Sequence, residues 1–118
     1  MRRLRVGMVV LAVAASALSG CGEAATSAQG TWGSSGGDET RLTFTGEGLI
    51  TGTDGCNRLS GTWQQDGDDV TLAGLATTLM ACPDVDVWLI DPASAVVDGD
   101  TMHLYDSDGA QIGDLSRE

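Results

Sequence analysis

Three cysteines, one histidine and seventeen acidic residues are the groups through which this 118-residue chain could do covalent, acid–base or metal chemistry. Nucleophilic catalysis needs a nucleophile, a base and a group that orients the base. His103 is the only histidine. It lies in the alternating stretch TMHLYD (101–106), facing away from Met102 and Leu104, which is an exposed strand position. Asp106 or Asp108 could pair with it. Paired carboxylates could serve glycoside hydrolysis, but nearly every acid stands in a Gly-bearing turn such as DGDD or DSDG, where Asp is favoured for local hydrogen bonding. DSDG resembles the opening of a calcium loop, yet the twelfth position from Asp106 is Arg117 and no glutamate closes it. Zinc asks for three or four N, S or O ligands at recognisable spacing, and one histidine does not supply them. The residues therefore predict no catalytic group, metal site or cofactor.

The cysteines divide by position. The first residues, MRRLR, are basic, and VGMVVLAVAASAL is an uncharged apolar run shorter than the roughly 20 residues of a membrane span. Leu18-Ser19-Gly20-Cys21 follows and resembles the bacterial lipobox, in which the leader is cut before a cysteine that receives a diacylglyceryl group. Residues 1–20 then form a lipoprotein signal peptide. Cys21 becomes the membrane anchor, and the small polar stretch through residue 29 reads as a lipidated N-terminus and flexible tether. A single domain occupies residues 30–118, outside the cytoplasm, held to the cell membrane as a lipoprotein. With Cys21 assigned to lipid, Cys56 and Cys82 are an even pair in an oxidising compartment, which favours a disulfide. The competing reading is a metal site, against which the lone histidine argues.

Charge narrows the partners. Cleavage would remove three of the six arginines and leave Arg41, Arg58 and Arg117 against seventeen acids, a net charge of −14 (3 − 17), with no lysine. Nucleic acids and anionic lipid headgroups are bound through Lys and Arg, so nucleic-acid binding is excluded. Asn57, next to Cys56, is placed to bond neighbouring backbone and hold the turn. Arg58 is one of three cations and could mark where a carboxylate-bearing partner docks. Asn57 and Arg58 together form the candidate interaction surface.

The elements that must position these groups are short alternating runs separated by Gly/Asp turns, the pattern of an antiparallel β-domain. GTW (30–32), TRLTFT (40–45), LITGT (49–53), LSGTWQQ, VTLAGL, TTLMAC, ASAVV, TMHLYD and AQIGDL are nine strand-like pieces, from which seven or eight strands are expected. Trp32, Trp63 and Trp88 are expected in the core. At CPDVDVWLIDP, Pro83 with Asp84 and Asp86 suits a helix start, and Val85, Trp88 and Leu89 share one helical face up to Pro92. One short helix of about two turns is expected there.

GCNRLSGTW (55–63), followed by TTLMACPD (77–84), resembles the paired signature of the META domain, the family of the HslJ-like heat-inducible lipoproteins, and GDTMHLYDSDG (99–109) resembles its final hairpin. The resemblance covers Gly30 to Leu115. It implies antiparallel strands curled into an open or cracked barrel around one helix, so the expected class is mainly β (α+β). It implies no enzyme and associates the chain with envelope stress. The reading reached is a monomeric, non-enzymatic interaction module that binds an unidentified envelope protein. The alternative is a carrier of a small apolar or lipid-like ligand in the barrel interior, and a third class is a hydrolase or calcium-dependent module.

Overall fold

A computed structural model describes residues 26–34, 36 and 38–118. The leader and Cys21 lie outside the described residues. Eight strands follow in order: β1 (Gly30–Gly33), β2 (Arg41–Phe44), β3 (Leu49–Thr53), β4 (Arg58–Asp66), β5 (Asp69–Thr77), β6 (Pro92–Asp98), β7 (Thr101–Asp106) and β8 (Gln111–Arg117). Each pairs antiparallel with its neighbour in sequence, and β1 pairs with β8 through Trp32↔Arg117 and Gly33↔Ser116. The barrel is closed, which corrects the expectation of an open or cracked one. Closure removes the free sheet edges that would otherwise template pairing with other chains.

Period-two alternation builds the interior. Leu42 and Phe44, Val70 and Leu72, Ala95 and Val97, and Met102 and Leu104 are buried at alternate positions of their strands. Ile50, Leu59 and Leu115 complete the fill, and Trp32 lies fully buried among them. Phe44 meets Trp63 edge-on at 5.6 Å between ring centroids, and the Trp63 indole donates to the Thr45 carbonyl. Trp63 and Trp88 are half-buried against this core, so all three tryptophans contribute to it, Trp32 most deeply.

No helix forms among the described residues, and the expected one at 83–91 is corrected. Its only helix-like bond is the turn from the Val85 amide to the Cys82 carbonyl, and the Ile90 amide instead reaches back two residues to Trp88. The cause is local. Asp84, Val85, Asp86 and Val87 are poor helix formers, and the space between two prolines is too short for propagation to repay nucleation. Asp91 sits in the left-handed region (φ 56°), held by the Ser107 hydroxyl, which donates to its carboxylate. Pro92 does not end a helix; it opens β6, a first-strand position that proline tolerates. The strand expected at TTLMAC is likewise absent after Thr77, where β5 ends. Residues 78–91 form one irregular crossing between β5 and β6.

Gly52 marks the tightest strand approach. A Cβ there would be driven against the Arg41 carbonyl oxygen of β2. Gly52→Ala is expected to cost about 1–3 kcal/mol through backbone displacement, whereas Thr51→Ala on the exposed face should cost under about 1 kcal/mol. Urea midpoints of the two variants check this.

Candidate functional site

The end of the barrel bearing Cys56 gathers most of the residues singled out from the sequence. Cys56 and Cys82 form a disulfide with Cα atoms 5.9 Å apart. It ties the β3–β4 turn to the irregular crossing. Closing a loop with a separation of 26 residues stabilises the fold by about 3–4 kcal/mol in the chain-entropy model.

The turn itself is built by Asp54, a buried carboxylate whose Oδ1 accepts from the amides of Cys56 (2.8 Å) and Asn57 (2.6 Å). Asn57 then grips the crossing. Its Oδ1 accepts from the Met80 amide (2.5 Å) and the Thr78 hydroxyl (2.9 Å), and its Nδ2 donates to the Met80 carbonyl (3.4 Å). Arg58 donates its backbone amide to the Thr78 hydroxyl and accepts from the Thr78 amide at its carbonyl. Asn57 thus works as a second staple beside the disulfide. The Arg58 side chain is exposed and forms no salt bridge among the described residues, whereas Arg41 pairs with Glu118 and Arg117 with Asp100. Arg58 borders a groove of about 460 Å³ on the outer face, with Thr51, Ser60, Ala76 and Thr78 along it.

The far part of the crossing is fixed by packing. Leu89 is buried, and the Trp88 ring lies on Gly113 of β8, where a Cβ would strike it. The Asp38 carboxylate accepts from the Thr40 amide (2.9 Å) and the Ser34 hydroxyl (2.9 Å). The Thr40 bond, with these others, holds the Asp38 carboxyl below the ordinary aspartate range. Its contribution to stability is therefore present above that range and lost as pH falls through the lowered value. A wider groove of about 670 Å³ runs between Asp38 and Glu39 on one side and Asp84 to Trp88 on the other.

What the crossing exposes was not singled out from the sequence. Leu79 is 96% exposed, Ile90 63% and Met80 57%, and Val85 also faces solvent. Reading Leu79 and Met80 as strand residues and Val85 as part of a buried helical face hid them. The available signal was that Leu79, Met80 and Ile90, large apolar residues of a strongly acidic chain, lie close in sequence to Cys82.

The comparison with known families decides the kinship of this arrangement. The META domain family model matches residues 18–117. This chain belongs to the META domain family. No curated protein and no solved structure matches it. In this META domain both signature segments meet at one place: GCN supplies the turn, and TTLMAC supplies the strand end and crossing that the turn holds.

His103 lies elsewhere, on β7. Its Nδ1 is 2.7 Å from Asp114 Oδ1 and its Nε2 is 3.8 Å from Asp98, with the Gln111 amide also near Nδ1. The sequence pointed to Asp106 or Asp108 as partners; the β7–β8 register brings Asp114 instead. Asp106 caps its own turn, accepting from the amides of Asp108 and Ala110. Among the described residues no three His, Cys, Asp or Glu side chains converge as a metal site.

Cys56→Ser and Cys82→Ser should each lower stability by about 3–4 kcal/mol, and the double variant by no more than either single one. Asn57→Ala should cost about 1–2 kcal/mol in the oxidised protein. Denaturant titration with thiol counting measures all four; additive cysteine losses or two free thiols would contradict the staple.

Proposed function

We propose that this META-domain chain is a lipid-anchored, non-enzymatic interaction module of the bacterial cell envelope, serving a stress-related role. The anchor reading is supported by the basic start, the apolar run and Leu18-Ser19-Gly20-Cys21 in that order. The stress role is supported by family membership. The observation that carries the interaction reading is the crossing from Thr78 to Asp91. It has no regular structure, yet the disulfide, Asn57, Trp88 and Leu89 hold it in place with Leu79, Met80 and Ile90 exposed. Fixed apolar side chains on a charged surface bind partners at little ordering cost. Arg58, beside them and without an acidic partner among the described residues, adds a carboxylate-binding point.

The carrier alternative has less behind it. Trp32, Phe44, Ile50, Met102, Leu104 and Leu115 fill the barrel interior, and both grooves described above are lined from outside it. An apolar ligand would have to displace core side chains, at a cost comparable to overpacking.

A photo-crosslinking residue at position 79, in cells expressing the full chain with a carboxy-terminal tag, tests the module. One envelope protein should be recovered in near-equal amount. Ile90→Asp and Arg58→Glu should each cut that recovery at least about tenfold while leaving Tm within a few degrees. Recovery unaffected by both changes would reject this surface as the binding one.

A further inference from the structure

The last residues of the stretch expected to be a free tether are part of the domain. Ala28 is fully buried; its amide donates to Gln65 Oε1 (2.8 Å), and its carbonyl accepts from the buried Trp32 indole (2.8 Å). Gln65 Nε2 donates to the carbonyls of Thr26 (2.7 Å) and Gly67 (2.9 Å). From β8, Arg117 donates to the Ser27 carbonyl (2.9 Å) and the Gln29 carbonyl (3.1 Å) while its guanidinium stacks 4.1 Å over the Trp32 ring. The Gln29 side chain lies against Gly46 in the β2–β3 turn. Residues 26–29 are a collar tied to one end of the barrel.

That end also holds the β2–β3, β4–β5 and β6–β7 turns, with Glu47, Asp66, Asp68, Asp69, Asp98 and Asp100 all exposed on them. The stapled turn, the crossing and the β7–β8 turn lie at the opposite end.

We propose that the collar sets which end of the domain meets the membrane: the acidic turns face the lipid surface, and the stapled apolar surface points away from it. This rests on the anchoring of Cys21 proposed above. Between Cys21 and Thr26 the chain takes five steps, at most about 17 Å when fully extended. The six- and seven-residue strands β7 and β8, tilted as in any closed barrel, span about 15 Å along its axis, and the turns at one end and the crossing at the other bring the two ends to about 20 Å or more apart. A leash of that length, leaving from the acidic end, cannot invert the barrel to bring the crossing down to the lipid. Charge does not select the end, since Asp38, Glu39, Asp84, Asp86, Asp91 and Asp108 are exposed at the far one; the short leash does. The occupant of the apolar surface is therefore an extracytoplasmic protein domain, not the bilayer on which Leu79, Met80 and Ile90 could otherwise rest.

The full lipidated chain is reconstituted in phosphatidylethanolamine–phosphatidylglycerol vesicles carrying a headgroup-linked energy acceptor. The donor sits on Asp68→Cys or Asp108→Cys, with mass confirming that Cys56–Cys82 stays closed. With a transfer radius comparable to the barrel's length, position 68 should transfer at least about twofold more than position 108. A flexible insert of about 20 residues after Ala25 should erase the difference. Equal transfer without the insert, or more from position 108, overturns the orientation while leaving the anchor standing. An amino-terminal peptide whose mass shows no lipid on Cys21 overturns the anchor and the orientation with it. The collar has its own readout: the Ala28 amide should exchange about tenfold more slowly than in Gln65→Ala, and equal exchange refutes it.

Discussion

The barrel depends on its closure at Trp32. β1 contributes four residues, and only two of them pair with β8. So short a seam, exposed to water, would open easily. Trp32 secures it from inside: the ring is fully buried, its N–H has a buried acceptor in Ala28, and Arg117 caps it by cation–π contact. The Arg117 carbon stem and guanidinium belong to β8, and Ala28 belongs to the collar. One indole thus joins the first strand, the last strand and the chain leading into the barrel. The acceptor it uses lies two residues before the point where the alternating pattern begins, so the domain is longer than its strands.

At the opposite end the constraint is covalent. The neighbouring strands β5 and β6 are joined not by a tight hairpin but by a segment that reaches the β3–β4 turn and β8, and that connection is too rich in Asp and Val to form a helix. Left alone it would sample many conformations, each ordered residue costing about 1–2 kcal/mol of backbone entropy. The disulfide, the Asn57 bonds and the burial of Leu89 restrict it at three separate points. The Gly-Cys-Asn turn is where two of the three converge, which answers why a cysteine stands inside turn chemistry: the turn receives a cross-link whose purpose lies 26 residues away.

Much of this was legible because strands advertise themselves by period two. LITGT and TMHLYD have the boundaries seen in the structure, and Met102 and Leu104 face inward with His103 outward. The cysteine pair was legible from counting and compartment. Three features were not. Val85, Trp88 and Leu89 fit a helical stripe, but propensity and two flanking prolines outweighed the spacing, so a matching period of only two turns was too weak a signal. Closure depends on β1 meeting β8 across the length of the domain, and no local pattern encodes such a pairing. The collar was hidden because Thr26–Gln29 are small and polar like any tether; what docks them is Gln65 and Arg117, which approach only after the barrel forms.

The two ends divide the labour of a small domain. The interior is full: fourteen hydrophobic residues are buried among the described ones, and a barrel of eight strands has room for little more than its own side chains. Additional apolar residues on the crossing therefore have no interior to enter. Leu89 is buried, and Leu79, Met80 and Ile90 remain outside. In a flexible segment these would invite non-specific association. Here the segment that carries them is held by a disulfide, and it also carries Asp84 and Asp86, which face Asp38 and Glu39 of the β1–β2 loop across a groove. The acids of this end therefore stand on the stapled segment or across the groove from it, and add negative potential around the exposed apolar side chains.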